Sequence, residues 1–228
     1  MYFSENQNYK LIIDYSIVTD EMNPRTHENL GKLICFHKKY SLGDKHNYNS
    51  ALNLFSSLIR SIYPTETGFK RAFSKCNSEP EFINLIKRKY LILPVYMLDH
   101  SGIWLQTYPF AGHSWDSGLV GYIFANHRDI KELYDIRKLS QKYLEMAEDR
   151  LIGEVYEYAN FIVGNVFYFK LINKSDNSII DLCDGIIAEE LSEIKRILKC
   201  FISDDFSVLI DNLEYITGEE KIYDAVYR

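Results

Sequence analysis

Apolar residues along this chain switch between short solid runs and intervals of three to four, and each switch marks a predicted element. Residues 9–18 (Tyr-Lys-Leu-Ile-Ile-Asp-Tyr-Ser-Ile-Val) read as a strand rich in β-branched side chains. Asn23-Pro24-Arg25 then turns the chain, because proline fixes φ and lacks a donor. Gly31 to Tyr40 reads as a second strand, carrying Cys35, Phe36 and His37, and a polar loop follows from Ser41. Asn49 or Ser50 caps a helix to about Ile62, with Leu52, Leu54, Phe55 and Leu58 on its apolar side and Pro64 stopping it. Ser78-Glu79-Pro80-Glu81 opens another helix to about Lys89. A block of three strands is expected over 90–125, and Asn126 or Asp129 starts the next helical segment. The longest helical stripe is Leu139, Tyr143, Ala147, Leu151, Val155, Tyr158 and Ile162, ended by Gly164 or Asn165. Strands at Asn165–Ile172 and Ile179–Cys183 and a helix over 188–202 complete the pattern.

Strands and helices mix without regular βαβ alternation, which predicts an α+β fold: a mainly antiparallel sheet flanked by helices. The expected organisation is a core domain over 1–185 and a helical, acidic C-terminal segment over 186–228 packed on it, with Gly185 at the boundary. At 228 residues, 46% hydrophobic and 14% aromatic, the chain can bury a sizeable core and should not be disordered. A net charge of −6 argues against direct non-specific binding of nucleic acid, which needs a basic face. The opening Met-Tyr-Phe-Ser-Glu-Asn-Gln-Asn lacks a basic leader, and no apolar run approaches the roughly 18 residues that cross a bilayer. The expectation is a soluble cytoplasmic protein that does not engage membranes. Cys35, Cys76, Cys183 and Cys200 form no Cys-x-x-Cys pair and read as buried free thiols of a reducing compartment.

Candidate chemistry concentrates between the strands of the 90–125 block. Asp99-His100-Ser101-Gly102 and Pro109-Phe110-Ala111-Gly112-His113-Ser114-Trp115-Asp116-Ser117-Gly118 bring acids, histidines, serines and a tryptophan into two neighbouring turns. A carboxylate beside a histidine can orient it or raise its pKa. Asp99, His100 and Asp116 are therefore the catalytic candidates, with Ser101 or Ser117 as a nucleophile. His37, His46 and His100 are the metal-ligand candidates, should the 37–46 loop meet these turns. No elbow or zinc-helix motif assembles them, however. The structural alternative has Asp and Ser capping loops, Gly102 and Gly118 supplying positive φ, and Trp115 plugging the end of the sheet. Asp181, Asp184 and Gly185 read as strand and turn residues. From Asp204 to Glu220 six acids (Asp204, Asp205, Asp211, Glu214, Glu219 and Glu220) occur without a Lys or Arg. They are a solvated face or a docking surface for a basic partner.

The order Asn23-Pro24-Arg25, Asn29-Leu30-Gly31, Cys35-Phe36-His37 and Gly43-Asp44-Lys45-His46 resembles the first half of a family of uncharacterised bacteriophage and prophage proteins. Leu93-Pro94-Val95-Tyr96, Asp99 to Gly102, Pro109-Phe110, Trp115 to Gly118, Gly121-Tyr122-Ile123, Gly153-Glu154-Val155 and Gly164-Asn165-Val166 are similar to its later elements. The resemblance spans about residues 10–185 and departs at Asp181–Gly185, where the family has an aromatic-rich stretch. It implies phage origin, action in the host bacterial cytoplasm, and no defined activity. From it comes the expectation of an accessory protein that acts by protein binding, an inhibitor of a host defence system in the manner of an anti-CRISPR protein. Its partner would be a host defence protein or ribonucleoprotein, met through Trp115, Asp116, His113, Asp204, Asp205, Asp211 and Glu214, without a cofactor. The alternative is a metal-dependent hydrolase or nuclease acting on a nucleotide or nucleic acid.

Overall fold

The structure, a computed structural model, describes residues 1–112 and 115–217. Among the described residues, nine strands make two antiparallel sheets and seven α-helices flank them, an α+β fold. The chain divides into two compact units, Met1–Asn23 with Asn160–Arg228, and Pro24–Ala159. This differs from a division at Gly185. The strand Ile179–Ile187 runs through Gly185, whose φ of 80° bends the chain without ending the strand. The acidic segment also belongs with the first strands of the chain: Glu214–Tyr215 pairs with Tyr2–Glu5.

In the first unit, β1 (Tyr2–Glu5) and β2 (Tyr9–Tyr15) form a hairpin. The second unit then runs β3 (Lys32–Cys35), α1 (Ala51–Ile62), α2 (Glu66–Phe73), α3 (Glu79–Ile86), β4 (Tyr90–Asp99), β5 (Ile103–Gln106), β6 (Ser117–Asn126), α4 (His127–Leu133) and the start of α5 (Gln141–Val163). Back in the first unit follow β7 (Val166–Asn173), β8 (Ile179–Ile187), α6 (Leu191–Phe201), α7 (Ser207–Asp211) and β9 (Glu214–Tyr215). The sheet orders are β8-β7-β2-β1-β9 and β3-β6-β4-β5.

The helix starts follow their caps. Ser50 accepts from the Asn53 amide at 3.3 Å, and Ser78 with Glu81 closes a capping box at the head of α3. The amides of Asn77 and Ser78 hold the Glu81 carboxyl below its usual pKa. Gly164, at φ 82°, follows the last turn of α5.

In the second unit, one face of the sheet buries Ile34, Tyr90, Ile92, Tyr122 and Phe124 against α1, α2 and α3, through Leu54, Phe55, Phe69 and Phe82. On the other face α5 comes so near that a Cβ on Gly31 would lie 2.5 Å from Leu151 and 2.8 Å from Ile123. In the first unit Leu11, Ile13, Phe167, Phe169 and Leu171 meet α6 and α7 through Ile194, Leu198, Leu209 and Ile210.

Several sequence expectations are corrected here. The second strand stops at Cys35 rather than Tyr40, because the chain then turns and Phe36–His46 forms the loop. Gly118 is extended within β6 opposite Met97, and the positive φ of the neighbouring turn falls on Ser101 (55°) and Gly102 (149°). The thiols are free, but only Cys35 is buried; Cys76 and Cys183 are half-buried and Cys200 is exposed. Among the described residues no helix is long and apolar enough to cross a membrane.

Candidate functional site

The two turns of the 90–125 block meet at one end of the second sheet. β4 and β5 form a hairpin closed by the pair Asp99↔Ile103, with His100, Ser101 and Gly102 as its loop. β6 pairs with β4 on the other side, so the 107–116 connection must return to the same end. The Asp99 amide donates to the Asp116 carbonyl at 2.8 Å and locks the two turns together. Above that lock, His100 Nδ1 lies 2.8 Å from Asp116 Oδ2. The Asp99 carboxylate accepts from the Tyr40 hydroxyl at 2.9 Å. Lys39 Nζ bonds the same hydroxyl, which raises the ammonium pKa.

The 37–46 loop thus reaches these turns through Tyr40 and not through its histidines. His37 stacks on Tyr40 with ring centroids 4.9 Å apart, and its Nδ1 accepts from the amides of Lys39 and Tyr40. His46 Nε2 faces the Cys35 carbonyl at 2.8 Å, and its Nδ1 accepts from the Tyr48 amide at 3.1 Å. A carbonyl only accepts, so these partners put the His46 proton on Nε2 and commit both nitrogens to backbone. Among the described residues no three His, Cys, Asp or Glu side chains are placed to hold a metal ion. His37, His46 and His100 are therefore not assembled into one centre.

The paired His100 and Asp116 have the form of a histidine with its orienting carboxylate. His100 remains 65% exposed and Asp116 29%, so water surrounds the pair. Ser101, one nucleophile candidate, takes the left-handed turn conformation in the hairpin loop. Trp115 does not plug the sheet: its relative exposure is 100%, with Tyr108 of the same connection at 62%. His113 lies outside the described residues.

A second polar cluster is buried. All five N–H groups of Arg25 find acceptors: Nε and one Nη2 hydrogen on Asp44 (2.8 and 2.9 Å), the other on the Gly31 carbonyl (2.7 Å), and Nη1 on Asn29 (2.9 Å) and Glu154 (3.2 Å). Glu154 accepts in turn from the amides of Leu30 (2.7 Å) and Gly31 (3.0 Å), and Asp44 from that of Leu33 (3.0 Å). Burial alone would lower the guanidinium pKa; hydrogen bonds and charge from Asp44 and Glu154 outweigh it and raise it. This network ties the Asn-Pro-Arg loop to the Gly43-Asp44 loop and to α5. Its groups are saturated by one another, which makes it a fastening and not a reaction centre.

In the first unit, the acids at the C-terminal end are not all unpaired. Lys199 of α6 meets Asp211 at 2.7 Å, while Asp204 and Asp205 sit in an exposed turn capped by Ser203 and Glu214 lies exposed in β9. Glu219 and Glu220 lie outside the described residues. Asp181 and Asp184 bond backbone amides of their own strand, at Leu182 and Gly185, each at 2.8 Å.

In the second unit, a cleft of about 670 Å³ is lined by Tyr48, Ser57, Ser61, Tyr90, Asp129 and Arg150 among others, with no His or Cys in its wall. Ser61 pairs with the Tyr90 hydroxyl at 2.6 Å, so neither serine of this cleft has a histidine base there. No family model, curated protein or solved structure matches the chain.

Proposed function

We propose that this protein acts by binding another protein, as a phage-encoded accessory factor that inhibits a host defence system. The 107–116 connection is its recognition surface. The observation that carries the reading is Trp115, fully in water and directly before Asp116, whose carbonyl is locked to the Asp99 amide. A tryptophan can bury some 150–250 Å² on a partner, about 4–6 kcal/mol before the costs of association. Such rigidly based Trp and Tyr side chains are the usual anchors of protein interfaces. The likeness to phage proteins supplies the class of partner.

Capture from infected-host lysate with tagged protein tests this, run beside Trp115→Ala and Tyr108→Ala. A stoichiometric defence protein or ribonucleoprotein on the wild type, lost from both variants, supports the reading. Equal capture by the wild type and the variants refutes it. The His100–Asp116 pair supports one alternative, a hydrolase acting on a nucleotide or nucleic acid; that reading requires turnover that His100→Ala abolishes while capture persists.

A further inference from the structure

Charge is unevenly distributed in this chain. Residues 60–89 hold seven Lys and Arg against three Glu, a local +4 in a chain of net −6. The structure folds this stretch into the end of α1, α2 and α3, around a cleft of about 570 Å³. Two of the three acids are committed, and one of these, Glu81, lines the cleft. Glu66 pairs with Arg60 at 2.8 Å and Lys70 at 3.4 Å, and Glu81 caps α3 through the Asn77 and Ser78 amides.

Three cations remain on the cleft: Arg71, Lys75 and Arg88. Arg88 donates to the Tyr63 hydroxyl at 2.7 Å, which fixes guanidinium and phenol side by side in the wall. The side chains of Arg71, Lys75 and Asn84 have no hydrogen-bond or ion-pair partner among the described residues. Tyr63, Ala72 and Leu85 complete an apolar wall. Charges more than about 8 Å away are screened at physiological salt, so the acidic remainder of the chain does not cancel this local field.

We propose that the α1–α3 cleft binds a nucleoside phosphate, either free or as one unit of a single strand. Arg71 and Lys75 take the phosphate, the Tyr63–Leu85 wall meets the base, and the Asn84 amide, donor and acceptor at once, reaches the base edge. The volume lies within the range of small-molecule sites, about 300–1,000 Å³. An acidic peptide would use the cations but leave the apolar wall and the amide without a role. This site is separate from the Trp115 loop and does not rest on the protein-binding reading.

The test uses the full chain: calorimetric titration with adenosine monophosphate and with inorganic phosphate, and anisotropy of a short labelled single-stranded RNA. The expected result is saturable binding of the nucleotide, the RNA or both, with Kd below about 1 mM at low salt. The double variant Arg71→Ala/Lys75→Ala should lose about tenfold or more and reduce the salt slope for RNA by about 1 per cation. Lys142→Ala, on α5, should stay within about twofold of the wild type. Binding of the nucleotide alone identifies a free-nucleotide site, and binding of the RNA alone a strand site. The milder Arg71→Gln/Lys75→Gln, matched to the wild-type melting curve, serves if the alanine pair unfolds. No saturable binding by either probe, phosphate binding as tightly as nucleotide, or an unchanged Kd in the folded double variant overturns the proposal.

Discussion

Replacing Arg25 with methionine should strip the Pro24–Ala159 unit of the group that joins three of its segments. The guanidinium makes hydrogen bonds to Asp44, Asn29, Gly31 and Glu154 with its side chain only 3% exposed. Removing it strands two carboxylates unequally. Asp44, at 23% exposure, can recover water, whereas Glu154, at 2%, keeps only the Leu30 and Gly31 amides and the Arg150 contact at 3.3 Å. Breaking one side of a buried pair costs about 3–5 kcal/mol, and the partial recovery at Asp44 puts Arg25→Met at about 3–4 kcal/mol. Arg25→Lys keeps the charge but cannot span the same acceptors, and should cost about 2 kcal/mol. Trp104, half-buried in β5, lies in this unit, so its fluorescence follows the unit's unfolding in urea. With a slope of about 2 kcal/mol/M, the midpoint of Arg25→Met should fall by about 1.5–2 M. A shift under about 0.3 M, or a lysine variant as stable as the wild type, would refute the role given to the network.

Further outcomes follow from titrating and reactive groups. Burial first, then the Asp44 charge, pushes the Cys35 thiol up to about 12, so alkylation of the native protein at mildly alkaline pH should label Cys200 and spare Cys35. Peptide mass mapping checks this, and Cys35 labelling as fast as Cys200 without denaturant would contradict the burial. The His127 pKa is lowered in the folded state by burial and then by Lys131, so the folded chain takes up that proton less readily than the unfolded one. The unfolded chain therefore binds the extra proton as pH falls below about 6.5, and stability declines there. His127→Gln should flatten that decline as pH falls below about 6.5 in urea midpoints, and an unaltered slope would exclude the residue as its source.

Much of the fold was legible because local signals and burial agree. Ser50 and Ser78 cap where a capping residue precedes an apolar period, and Gly164 ends the longest stripe. The three strands around the turns were visible as apolar runs broken by Asp, Ser and Gly. Helix α2 escaped notice because its eight residues include Gly68 and bury only Phe69. The strand β9 has two residues, too few to show a period. The Arg25 network was hidden for a different reason: its carboxylates stand 19 and 129 residues away, and one sequence cannot pair charges at that range. Arg25, Asp44 and Glu154 each stood in a motif, but the link between them exists only in three dimensions. Reading net charge over the whole chain likewise concealed the α1–α3 cations, since averaging discards position. Trp115 shows the limit at the turns, where a buried plug and an exposed side chain share one sequence and the backbone alone decides.

The most direct test of the protein-binding account is the plating efficiency of a phage on a host whose defence system restricts it. The host would express the wild-type protein or the double variant Trp115→Ala/Tyr108→Ala. Both side chains are exposed, so the variant should melt with the wild type and differ only in what it can bind. The expected result is plating restored by the wild type against at least one defence system and lost with the variant at equal expression. Restoration that survives the double substitution, or none by the wild type across the systems tried, would contradict the account.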